Sequence, residues 1–130
     1  DIIHCQGWMT SVIPFYVKTA YKDEPQFASS KVITSLFAEQ PQSNLGENFK
    51  QCLEFREIKA GSLKKYGDNF DFMELGKLAI DYSDGVISTS NNVNLDLIDY
   101  AKTSKASFFE HSVDDTDLKE KYSEFYNNII

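Results

Sequence analysis

Cysteine is scarce in this chain. Cys5 and Cys52 are the only two in 130 residues, too few for the disulfide framework that staples small secreted domains. They fall on a predicted buried strand and a predicted helix, the pattern of a reduced, cytoplasmic protein. No apolar run approaches the ~20 residues of a membrane span, and no charged-then-apolar leader opens the chain, so neither a span nor a signal peptide is expected. The six glycines are scattered, and they form no phosphate-cradling loop, dinucleotide fingerprint or Gly-x-Ser-x-Gly elbow. Histidine is limited to His4 and His111. Neither has carboxylates at metal-ligand spacing, and Asp114-Asp-Thr-Asp lacks the later glycine and glutamate of a calcium loop. No metal and no cofactor is expected.

Positive charge is scarce in the second half. Residues 1–66 balance at +1, whereas residues 67–130 carry five lysines against thirteen acids, and the whole chain stands at −7. An acidic half repels a phosphate backbone, which argues against a nucleic-acid partner.

What remains is a pattern that alternates its period. A chain of this length is one domain, able to bury about two thirds of its unfolded surface. Ile2 and Ile3 read as a strand. Val12, Ile13, Tyr16, Val17 and Ala20 share one face of a helix over about 10–21, with Pro14 tolerated in its first turn. Lys31 to Phe37 is a β-branched strand, and Ala38 to Gly46 a polar loop. A helix is expected from Glu47 to about Ile58, with Phe49, Cys52 and Leu53 inward. Phe72, Leu75, Ala79 and Tyr82 mark a second long helix. Val86 to Ser88 is a third strand, followed by a helix capped by Ser90 or Asn91 with Val93, Leu97, Ile98 and Ala101 inward. Ala106 to Phe109 is a fourth strand. Asp114 to Asp117 then cap a last helix with Leu118, Tyr122, Phe125 and Ile129 in register.

Strands alternating with helices predict an α/β fold: an open three-layer sandwich whose mostly parallel sheet of about four strands has helices on both faces. Right-handed crossovers then gather the strand exits on one rim, where ligands of open α/β sheets bind. The exits are Cys5 to Trp8, Leu36 to Glu39, Thr89 to Asn92 and Glu110 to Ser112. At the first, Gln6 can exchange hydrogen bonds with a sugar hydroxyl or with water. Gly7 lets the backbone turn tightly. Trp8 can stack on a pyranose ring or pack the strand–helix junction, and His4 is either a site residue or a hydrogen-bonded core histidine. Glu110 and His111, adjacent on a strand, point to opposite faces and are not expected to act as an acid/base pair.

The same stretch, Asp1-Ile-Ile-His-Cys-Gln-Gly-Trp-Met-Thr, resembles the "HxHDWHT" strand-to-helix segment of bacterial glycogen and starch synthases, in the variant "DVIHCHGWMT". Ser29-Ser-Lys-Val-Ile-Thr-Ser continues the likeness, and Leu78-Ala-Ile-Asp-Tyr-Ser-Asp-Gly-Val-Ile is similar to the family's "GL.YADRVTTVSPTYA". The resemblance implies half of a two-domain GT-B (Rossmann-like) architecture. It also implies glucose transfer from ADP-glucose to an α-1,4-glucan, so the expected partners are a nucleotide-sugar donor, a glucan acceptor and the remaining domains of a parent chain. Residues 1–130 then read as a single Rossmann-like domain, part of the amino-terminal catalytic half. A start on a strand residue without methionine fits a piece of a longer protein.

On this resemblance His4, Gln6, Gly7 and Trp8 are the substrate-binding candidates, and the catalytic residues are unknown. The family's "KxGGL" loop and its carboxyl-terminal nucleotide-binding half are not in this sequence. Gly7 stands where the family has the "HDW" aspartate, Gln6 where it has the preceding histidine, and Leu36 where "TVHN" supplies a histidine. Ser90 keeps the capping position of "SPTYA". The isolated chain is therefore expected to be inactive and the parent divergent. The competing reading is a non-catalytic glucan-binding or regulatory module. A flavodoxin-like phosphate- or nucleotide-responsive protein is a third, which the missing phosphate loop disfavours.

Overall fold

The computed structural model describes residues 1–54, 58, 61–89, 92–112 and 114–130. Four strands form one sheet in the order β1 (Ile2–Gln6), β2 (Lys31–Leu36), β3 (Gly85–Ser88), β4 (Ser107–Glu110). All three pairings are parallel: Ile2 lies opposite Lys31, Ile33 opposite Gly85, and Gly85 opposite Ser107. The expected three-layer α/β sandwich is therefore present. Strands in sequential order require each right-handed crossover to step the same way, which sets the connecting helices on one face. Those helices are α1 (Ile13–Lys18), the single turn α2 (Phe49–Cys52), α3 (Phe72–Asp81) and α4 (Leu95–Thr103), and the chain ends in α5 (Leu118–Ile129).

The two sheet faces have separate cores, as the period-2 geometry of a strand dictates. Toward the crossover helices, Val32 packs with Cys5 and Val17, while Leu36 and Val86 meet Ile80, Leu97, Ile98 and Ala101. Phe15, Leu53, Leu63, Tyr66, Phe70, Leu75 and Leu78 extend this layer under the loop after β2. On the opposite face Ile33 and Ile87 pack against Phe125, with Ile2, Phe109, Tyr122, Tyr126 and Ile129 around them. Among the described residues α5 is the element that covers this face.

Several local expectations change. The first helix does not run over 10–21. A 3-10 turn at Trp8–Thr10 comes first, and α1 occupies only Ile13–Lys18, with Pro14 in its first turn. It ends where the Thr19 hydroxyl donates to the Phe15 carbonyl at 2.6 Å, one of the local side-chain bonds that compete with helix propagation. This phase buries Phe15 completely and leaves Ile13 38% exposed, while Val12, Tyr16 and Val17 face the core as anticipated, so the inward face is shifted rather than replaced. Cys52, expected inward, is exposed, while Leu53 is buried. The helix expected over Glu47 to about Ile58 is reduced to the single turn Phe49–Cys52; Leu53, Glu54 and Ile58 are not helical, and residues 55–57 lie outside the described set. The fourth strand starts at Ser107, one residue late.

The caps also differ. The helix expected to start at Ser90 or Asn91, two residues outside the described set, begins at Leu95. Asn94 caps it, its side chain accepting from the Asp96 amide at 2.9 Å. Asp117 precedes α5 but makes no capping hydrogen bond. It pairs with Lys121 at 3.2 Å instead. Asp71 and Glu74, by contrast, form a reciprocal capping box at the start of α3.

Candidate functional site

Parallel pairing puts the ends of all four strands on one rim. β1 leaves the sheet at Gln6, which is exposed, and the chain turns at Gly7 with φ 84° and ψ 166°. That combination is essentially restricted to glycine, because a Cβ collides with the flanking peptides. An aspartate cannot take this position without rebuilding the turn, so the carboxylate implied by the family pattern has no place in this backbone. The turn is fastened from within. The Gly7 amide donates to the Ser35 carbonyl at 3.3 Å, and the Thr10 hydroxyl donates to the Gly7 carbonyl at 2.9 Å.

Trp8 follows, half-buried against the aromatic cluster around Phe15. Gly7, Trp8, Ser11, Phe37, Glu39 and Phe72 are among the residues that line a slot at the rim. The slot as a whole has room for about one water molecule. Met9, next to Trp8, is 79% exposed.

The four anticipated site residues are not all brought together. Gly7 and Trp8 share the slot, and Gln6 ends the strand just before them. His4 faces the other way, toward α5. Its Nδ1 lies 2.7 Å from the Tyr126 hydroxyl and its Nε2 lies 2.6 Å from Ser35 Oγ, so both ring nitrogens are used inside the fold. Burial lowers the His4 pKa from its ordinary 6.5. Of the two readings of this histidine, the geometry drawn is that of a hydrogen-bonded core residue. Ser35 and Tyr126 were not singled out by the sequence, although the alternation of β2 that points Ile33 toward α5 puts Ser35 on the same face.

Leu36, at the family's histidine position, is buried among the crossover helices. His111 Nε2 bonds the Tyr122 hydroxyl at 2.9 Å, whereas Glu110 reaches Lys102 at 3.9 Å. The two neighbours thus have separate partners, as expected. Among the described residues no three His, Cys, Asp or Glu side chains group as a metal site, and no helix is long and apolar enough to cross a membrane. Glu39 was legible only as part of a strand exit. Its place in the same slot as Trp8 depends on the path of the loop after β2, which local sequence does not encode.

A family model, the starch synthase catalytic domain, matches residues 1–110. The chain is 32% identical over 117 residues to a glycogen synthase of Clostridium perfringens, covering 88% of this chain and 22% of that protein. It is 34% identical over 103 residues to a glycogen synthase of Fervidobacterium nodosum, covering 78% and 19%. A glycogen synthase of Thermosipho africanus is 27% identical over 127 residues, covering 97% and 24%. No solved structure matches significantly. The chain spans about a fifth of the length of the curated relatives it matches. A match over 110 of 130 residues, on a parallel sheet whose first exit turns at Gly7 and Trp8, establishes that this chain belongs to the starch synthase catalytic domain family.

Proposed function

We propose that residues 1–130 form a single Rossmann-like domain in the amino-terminal half of a GT-B glucosyltransferase that moves glucose from ADP-glucose to an α-1,4-glucan, and that the chain by itself does not catalyse the transfer. The observation that carries this reading is the Trp8 turn at the carboxyl-end rim of an all-parallel sheet in a chain of this family. Gln6, Gly7 and Trp8 meet the sugar, and His4 supports the strand that delivers them. The donor's phosphates are held elsewhere, because Glu39 brings negative charge to the slot and, among the described residues, no lysine or arginine lines it. The test compares the 130-residue chain with the longer protein containing it, using labelled ADP-glucose and glycogen. Incorporation by the longer protein alone is expected, and robust incorporation by the chain would overturn the division of labour.

A second reading has its own support. Gly7 sits in a backbone that excludes aspartate, and Leu36 is buried where the family pattern has a histidine, so two polar contacts to a sugar are missing. A non-catalytic glucan-binding or regulatory module fits these losses. It predicts that the longer protein retains glycogen on affinity electrophoresis while incorporating no label.

A further inference from the structure

We propose that α5 is a pH-sensitive latch on the sheet: both histidines of the chain belong to one hydrogen-bond relay through its tyrosines, closed while no more than one is protonated and loosened when both are. The inference is independent of the sugar-transfer reading. The direction of the relay follows from its end. The Ser112 carbonyl can only accept, so His111 Nδ1, 3.2 Å away, carries the proton, and Nε2 accepts from the Tyr122 hydroxyl at 2.9 Å. Tyr122 in turn receives a hydrogen bond from Ser35. With its hydrogen committed there, Ser35 Oγ accepts from His4 Nε2 at 2.6 Å, which leaves His4 Nδ1 to accept from the Tyr126 hydroxyl at 2.7 Å. Tyr122 and Tyr126 stand one turn apart on α5, so one face of that helix holds both histidines.

Counting donors shows what a proton does. On His4 it turns Nδ1 into a donor, and the half-buried Tyr126 hydroxyl redirects its hydrogen to solvent. On His111 it reverses the relay: Tyr122 donates to Ser35, Ser35 to His4 Nε2, and His4 Nδ1 to Tyr126. Every link survives either single proton. Two protons make both imidazoles donate inward, and one hydroxyl hydrogen shared between Ser35 and Tyr122 is then left with no acceptor in the network. Among the described residues no carboxylate pairs with either imidazole. Glu110 meets Lys102 at 3.9 Å, and Asp115 accepts from the Ser112 amide and pairs with Lys121 at 3.6 Å. The titratable groups that face them are Tyr122 and Tyr126 at His4, and Tyr122 at His111. Burial lowers the His4 pKa, so the closed state binds fewer protons than the open one and falling pH favours opening. The latch bears on the rim because α5 covers Ile33 and Ile87 and ties down β1, the strand that leads to the Trp8 turn, through His4.

The wild-type 130-residue chain is followed between about pH 8 and 5, where histidine changes charge, by imidazole NMR and by amide hydrogen exchange corrected for its intrinsic pH dependence. Two separated histidine steps are expected, with exchange from α5 rising about tenfold or more relative to α3 only at the second. Tyr122→Phe keeps the ring against Phe109 and removes the central link, so the separation between the steps should shrink, with circular dichroism confirming that the variant is folded. Steps as widely separated in Tyr122→Phe as in the wild type would overturn the relay. Unchanged α5 protection with both histidines protonated would overturn the latch, and so would an equal rise in α3 and α5, the mark of whole-chain unfolding. These last two outcomes are read on the wild type alone and decide the latch without the variant.

Discussion

His4 shows how one side chain can be read in two ways until its partners are seen. In a short apolar strand next to a glycine and a tryptophan it looks like part of a ligand site, yet Tyr126 and Ser35 occupy both of its nitrogens at 2.7 and 2.6 Å. A neutral imidazole offers one donor and one acceptor, so the hydroxyls on either side must take opposite roles. Protonation makes both nitrogens donors, reverses one of those bonds and places charge in a partly desolvated position. Burial accordingly lowers the His4 pKa below 6.5. The native state then binds fewer protons than the unfolded chain, so the contribution of His4 to stability is complete above about 6.5 and is lost as pH falls through the native value. Imidazole NMR titration, simplified by there being only two histidines, should show His4 titrating below 6.5. A midpoint at or above that value would contradict this account.

A carboxylate shows the same economy nearer the other end of the sheet. Asp81 accepts from the Tyr66 hydroxyl at 2.6 Å, from the Tyr100 hydroxyl at 2.8 Å and from Lys65 at 2.8 Å. Its side chain is 18% exposed and Tyr66 is buried, so removing the acceptor leaves a buried hydroxyl without its partner. Desolvation, reinforced by Asp81, already pushes the Tyr66 phenol far above its ordinary range. Asp81→Ala is expected to cost about 2–3 kcal/mol, the range for losing hydrogen bonds to a charged group. Urea denaturation would measure it, and a loss below about 0.5 kcal/mol would mean that solvent replaces the carboxylate.

At the scale of the element, strands and long helices were the legible part. Lys31 to Leu36 is β-branched at Val32, Ile33 and Thr34, and Phe72 to Asp81 keeps a helical period between a capping box and a turn. Short elements were less legible. Pro14 is compatible with a helix starting at several positions, and the one adopted buries Phe15 in an edge-to-face contact with Tyr82, 5.1 Å between centroids. That choice is tertiary, because it depends on what α3 presents. Asn94 caps α4 although Ser90 and Asn91 also carried the signal. Capping residues cluster in loops, and the one that acts is fixed by where the buried Val93 and Leu97 must lie. At the site, Gly7 and Trp8 could be read because they flank a strand end, whereas Ser35, Glu39 and Tyr126 required the third dimension.

The contact between β3 and α5 is tight at Gly85, where an added methyl group would require side chains of α5 to shift. A Cβ on Gly85 would overlap Ile129 Cδ1 and lie 3.0 Å from the Phe125 ring. Gly85 begins a fully buried strand; the Ile129 side chain can turn away, but the buried Phe125 ring cannot give way without disturbing Ile33 and Ile87. Gly85→Ala should therefore destabilise by about 1–3 kcal/mol, the usual penalty for overpacking, despite alanine's lower backbone entropy cost. A thermal midpoint at or above that of the wild type would show that α5 moves aside freely.

For the whole molecule, the family match ends at residue 110, but the two cores do not divide there. Ile33, Ile87 and Phe109 belong to strands inside the matched segment, and they are covered by Tyr122, Phe125, Tyr126 and Ile129 from beyond it. Burying an apolar side chain of this size contributes roughly 1.5–3 kcal/mol, so the α5 face accounts for an appreciable part of the ~5–15 kcal/mol that separates a domain from its unfolded chain. α5 also supplies the hydroxyls that hold His4 and His111. A chain shortened to residues 1–110 should lose cooperative urea unfolding and bind an apolar dye such as ANS, because one face of a parallel sheet would be open to water. A cooperative transition close to that of the 130-residue chain, without dye binding, would mean that the matched segment folds alone and that α5 is an accessory. The expected result makes the last helix part of the scaffold that fixes β1, and through β1 the position of the Trp8 turn on the rim.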